Sequence, residues 1–115
     1  MLDNELPDWQ IVELSLALKL RAEDLQRRDR ISKSQEIVEL RQRIMRSHVV
    51  VIPTFATSML ANELGSMQVV EICIALRLRA EYLARRGCFD LCKDIEKLHL
   101  RIQESHVILT PFNSI

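Results

Sequence analysis

The chain is written twice. Residues 1–57 can be set against residues 59–115 at a single offset of 58 without a gap, and 25 of the 57 positions are identical. Leu18-Lys19-Leu20-Arg21-Ala22-Glu23 returns as Leu76-Arg77-Leu78-Arg79-Ala80-Glu81, Ser47-His48-Val49 as Ser105-His106-Val107, and Pro53 as Pro111. Met-Leu-x-Asn-Glu-Leu opens both copies, at Met1 and at Met59. Two copies are too few for a solenoid, and a half this small is marginal as a core of its own. The expectation is one domain, 1–115, in which repeats 1–57 and 59–115 share a core as a pseudo-twofold pair, the single-chain counterpart of a homodimer.

Each copy reads as a helical hairpin. About twenty residues without glycine or proline follow Pro7-Asp8 and Gly65-Ser66, with Asp8 and Ser66 as expected N-caps. Ile11, Leu14, Leu18, Ala22 and Leu25 form one stripe at helical spacing, and Trp9, Val12, Leu16 and Leu20 form a second one nearly opposite. The second copy repeats both stripes, with Met67, Val70, Ile74 and Leu78 on the second. A helix apolar on two sides must be covered on two sides. One face is expected on the hairpin partner and the other against the opposite copy or another chain.

The first helix should break at Arg28-Asp29-Arg30 and at Arg86-Gly87-Cys88. A second helix then carries Ile37, Leu40 and Ile44, or Ile95, Leu98 and Ile102, on a narrower stripe. Val49–Pro53 and Val107–Pro111 are β-branched runs ended by proline, expected as strands paired with each other; the alternative is that each prolongs the second helix. The fold class is thus mainly α, a tandem hairpin forming a four-helix bundle, each hairpin followed by a short strand.

Composition narrows the function. Two glycines leave no glycine-rich phosphate loop, and the 16 basic residues are balanced by 16 acidic ones, within each copy as well as overall. That balance disfavours a polyanion binder. No apolar run reaches a bilayer's thickness, the first residues lack the order of a secretory signal, and three cysteines give no disulfide framework. A cytoplasmic chain with reduced thiols follows, with no membrane partner.

No residue pattern demands chemistry, so no cofactor, metal or catalytic residue is assigned. His48 and His106 read as helix C-caps rather than as paired bases. Cys88-x-x-x-Cys92 places two thiols on one helical face, with His99 one heptad beyond Cys92, but has no counterpart in the first copy and reads as core rather than zinc. Arg27, Arg28, Arg85 and Arg86 end the two long helices; together they would make a basic rim for anions, though Glu23 and Glu81 stand four residues before Arg27 and Arg85 as surface partners. If the long helices cross near Leu20 and Leu78, Glu13 meets Arg85 and Glu71 meets Arg27.

By exclusion, the favoured function is a non-catalytic protein–protein interaction module, a regulator, adaptor or inhibitor. Its partner-binding residues are Trp9, Leu16, Met67, Ile74, Tyr82 and Phe89, and a homodimer is one form of partner. A nucleic-acid-binding bundle using the arginine-bearing ends ranks second, and an enzyme using the two histidines third.

Overall fold

A computed structural model describes residues 4–53 and 62–112. Its order is α1 (Asp8–Arg27), α2 (Ile31–Met45), β1 (Ser47–Pro53), α3 (Ser66–Arg85), α4 (Phe89–Gln103) and β2 (Ser105–Pro111). The protein is mainly helical with a small two-stranded sheet. Helix α1 packs on α2, α3 on α4, and α1 on α3. Residues 1–3, 54–57, 59–61 and 113–115, which complete the repeated stretches, lie outside the described residues.

Asp8 and Ser66 are the first helical residues and not caps; Pro7 and Gly65 occupy the cap positions in extended conformation, and neither helix start has a side-chain cap. In the second half Gln68 takes part of that role, its Oε1 accepting the N–H of Gly65 at 3.0 Å. In the first half the matching cap is Pro7, which has no N–H to give, and Oε1 of Gln10 is buried with no partner.

Both long helices end in one motif. The N–H of Arg30 donates to the carbonyl of Leu25 at 2.8 Å, and that of Asp29 to Gln26 at 3.0 Å; Cys88 to Leu83 and Gly87 to Ala84 repeat the pair. The motif puts the residue after the cap in the left-handed region, at φ 63° for Asp29 and 78° for Gly87. Glycine takes that conformation without a Cβ clash; aspartate is one of the few other residues that tolerates it.

The runs before the prolines are strands, starting two residues earlier than expected, at Ser47 and Ser105. They pair antiparallel with Val50 opposite Ile108, residues that hold the same place in the two copies. Val49, Val51, Val107 and Leu109 turn into the core. The segment before each long helix lies along the sheet's outer edges: Glu5 bridges Val50 and Glu63 bridges Ile108. Leu6 and Leu64, held by N–H bonds of 2.8 Å to the carbonyls of Val49 and Val107, are buried beneath.

The long helices run in opposite senses but not in the expected register. Nε of Arg21 donates to Glu71 Oε2 at 2.9 Å and Nε of Arg79 to Glu13 Oε2 at 2.8 Å, each with a second, longer bond from Nη2. Glu13 therefore meets Arg79 and not Arg85, and Glu71 meets Arg21 and not Arg27. Midway between the two pairs lie Ala17 and Ala75, both fully buried. The crossing sits there because alanine lets the two backbones approach, whereas Leu20 and Leu78 would hold them apart.

This register also decides which apolar stripe is used. The first stripe and the Glu13-Ala17-Arg21 row beside it serve both the hairpin and the crossing. The N-terminal part of the second stripe faces outward: Trp9 and Val12 are 46% and 56% exposed, Met67 and Val70 64% and 48%, whereas Leu16, Leu20, Ile74 and Leu78 are half-buried. Of the two alternatives for the second stripe, cover by the opposite copy is not what Trp9, Val12, Met67 and Val70 receive in the described chain. One face suffices, because an alanine-centred crossing packs on its flank.

Candidate functional site in the outer groove of the second hairpin

A groove of about 580 Å³ lies on the outward side of the α3–α4 hairpin. Leu64, before α3, and Val69, Val70 and Ile74 on it form its apolar wall, and its α3 lining runs from Ser66 to Arg77, roughly three turns or about 16 Å at 1.5 Å per residue. Glu63, Ser105 and His106 stand at the α3 N-terminal end and Arg77 at the other. Cys73, His99 and Gln103 line the middle. The volume falls in the range of small-molecule clefts.

The matching groove in the first hairpin is divided into depressions of about 330 and 320 Å³. Arg41 stands where His99 does, and its Nε reaches the carbonyl oxygen of Ser15 at 3.0 Å and its hydroxyl at 2.9 Å. Met45 lines both depressions. In the second hairpin Ser15 becomes Cys73, Arg41 becomes His99 and Met45 becomes Gln103, so the clasp is gone and the groove is continuous. Burial pushes the Cys73 thiol above its ordinary pKa, so it stays protonated at neutral pH.

At one end of each groove a histidine meets a carboxylate. Nδ1 of His106 donates to Glu63 Oε2 at 2.5 Å, with both side chains more than four-fifths buried; Nδ1 of His48 donates to Glu5 Oε1 at 2.6 Å, with His48 half exposed and Phe112 packed edge-on against its ring. The histidines are not helix caps. That task belongs to the preceding serines, whose hydroxyls donate to the carbonyls of Arg43 and Arg101 at 2.6 Å. The histidine partners come from the edge segments, 43 residues away in sequence. Glu5 and Glu63 stand in the Asn-Glu-Leu stretch shared by both copies, which was the signal that could have found them.

The six apolar residues singled out as partner contacts do not form one patch. Leu16 lines a first-hairpin depression and Ile74 the second-hairpin groove. Trp9 and Met67, at the starts of antiparallel helices, lie on opposite sides of the crossing. Phe89 is exposed at the start of α4. Tyr82 lies beneath Arg79 and Arg86, whose guanidinium carbons are 5.5 and 4.9 Å from its ring centre.

The arginine-bearing ends form no joint rim either, because the antiparallel crossing sends them apart. Arg27 and Arg28 share Asp24, at 3.9 and 3.2 Å, so Asp24 and not Glu23 is their partner. Arg85 donates to the backbone carbonyl of Glu81 rather than to its carboxylate. Cys88 is exposed at the cap of α4 while Cys92, one turn on, is buried; burial, and then the hydrogen bond and charge of Glu96, raise the Cys92 pKa. Among the described residues no cluster of three or more His, Cys, Asp or Glu is placed to hold a metal ion, and no helix is long and apolar enough to cross a membrane.

Comparison with known protein families, curated proteins and solved structures finds no match to this chain.

Proposed function

We propose that this chain is a non-catalytic protein–protein interaction module of the cytoplasm, a single domain made of two repeats related by a pseudo-twofold axis. Two registers support the symmetry: the strand ladder centres on Val50 and Ile108, and the helix crossing on Ala17 and Ala75, each a pair of equivalent residues. The observation that carries the function is the apolar surface left open on the long helices, where Trp9 and Val12 on α1 and Met67 and Val70 on α3 are all at least 46% exposed in the described chain. Large apolar side chains set out at helical spacing suit a partner's apolar surface.

A photo-crosslinking side chain placed at Val12 or Val70, in the cell that makes this protein, tests the reading. Adducts with a second polypeptide from either position, and none from exposed Arg30, are expected. An adduct of twice 13.4 kDa identifies a second copy as the partner. Absence of any polypeptide adduct from both positions overturns the proposal.

A further inference from the structure

The second-hairpin groove has a polarity that the outward stripe does not explain. We infer that it binds a small amphipathic carboxylate, an organic acid whose anionic head sits between Arg77 and His99 and whose apolar tail lies along Val70, Ile74 and Leu64.

The charges favour an anion at one end of the groove. Arg77 lines it with no ion-pair partner among the described residues, whereas Arg79, two residues on and on the other side of α3, is engaged with Glu13. His99, level with Cys73 in the antiparallel hairpin and so about one turn of α3 from Arg77, has no side-chain hydrogen bond to a described residue. Both can therefore donate to a carboxylate without breaking an existing bond, and arginine's paired N–H groups match a carboxylate's two oxygens. The negative charge of Glu63 stands at the opposite end and is engaged by His106. The neutral thiol of Cys73 adds no repelling charge midway.

The walls favour an apolar tail. Between the two polar ends, Leu64 is buried and Val69, Val70 and Ile74 present aliphatic surface. The first hairpin cannot do the same, because Arg41 spans its groove to Ser15 and Lys19, the counterpart of Arg77, does not line either depression. The inference does not depend on a protein partner.

Decanoate is the probe, with decanol and decyltrimethylammonium as partners of equal tail length. Titration of the full chain, followed by amide chemical shifts, should show saturable decanoate binding with changes confined to residues 63–77 and 99–106. Decanol should bind at least tenfold more weakly, and the cation should not bind there. Arg77→Gln should lower decanoate affinity about tenfold, the size of one charge-assisted contact, while leaving decanol unchanged. The pair Cys73→Ser with His99→Arg rebuilds the first hairpin's clasp and should abolish decanoate binding in a protein whose unfolding midpoint is preserved. Bound decanoate should also protect Cys73, but not exposed Cys88, from iodoacetamide. The inference fails if decanol binds as well as decanoate, if the shifts fall equally on residues 5–19 and 41–48, if Arg77→Gln leaves affinity intact, or if no saturation is seen below millimolar concentration.

Discussion

The two outer grooves are built on equivalent pairs of helices, and three of the side chains in which they differ set whether the groove is open. Ser15, Arg41 and Met45 close the first; Cys73, His99 and Gln103 leave the second open. Beneath them the copies hardly differ: Ala17 and Ala75, Leu18 and Leu76, Ala22 and Ala80, Leu25 and Leu83, Ile37 and Ile95, Leu40 and Leu98, and Ile44 and Ile102 are identical and buried. Identity between the halves follows burial, because a close-packed interior feels the change of a single methylene. A groove lining carries no such constraint. The open groove is thus where the halves are free to take different tasks.

The buried ion pairs offer the largest test of that contrast. Glu71 holds both Arg21, at 2.9 Å, and Lys33, at 3.8 Å, whereas Glu13 holds Arg79, which also rests on Tyr82. Glu71→Ala should cost about 3–4 kcal/mol in urea unfolding, since it strands a buried guanidinium. Glu13→Ala should cost somewhat less, about 2–3 kcal/mol, because the tyrosine ring keeps the arginine company. A double-mutant cycle on Glu13 and Arg79 should give a coupling of at least about 1 kcal/mol, and one on Glu13 and Arg85 should be additive within about 0.5 kcal/mol. Coupling to Arg85 instead would restore the crossing at Leu20 and Leu78.

The histidine–carboxylate pairs come next. Glu63→Ala removes the acceptor of a mostly buried bond and should cost about 1.5–2 kcal/mol. Glu5→Ala faces a half-exposed histidine and should cost under about 1 kcal/mol after solvent screening. Equal losses would mean that the two edge segments are held by the backbone bridges alone.

At the ends of the long helices the halves can be interchanged. Asp29→Gly should stabilise the protein by about 0.5–1 kcal/mol, and Gly87→Asp should destabilise it by a similar amount, measured as shifts in unfolding midpoint. The smallest effect is at the helix starts. Gln68→Ala should cost about 0.5 kcal/mol for its lost bond to Gly65, while Gln10→Ala should be neutral, its buried oxygen having no partner to lose.

The repeat, the helix breaks and the strands were legible because each rests on local periodicity and on residues such as Gly87, Pro53 and Pro111. Register was not. Hydrophobic stripes at Leu14 or Leu16 say which way a helix faces but not where along its length a second helix crosses, and the clue at Ala17 and Ala75 is the absence of a side chain rather than its presence. The histidines were misplaced for a related reason. A serine before a histidine at a helix end suits either as cap, and the choice is made by Glu5 and Glu63, which arrive from the far end of each copy. The difference between the grooves was in plain view as the substitutions at positions 15/73, 41/99 and 45/103, but only a three-dimensional neighbourhood makes three scattered differences into one feature.

The segments along the sheet edges have a consequence for the protein at high concentration. Two strands alone would offer two rows of unpaired backbone groups, each a template on which another molecule could grow a sheet. Residues 4–6 and 62–64 occupy the centres of both rows, and the Glu5–His48 and Glu63–His106 bonds fasten them there. These two contacts are therefore guards against fibrous self-association, and the more exposed of them, at His48, marks the edge from which it would begin.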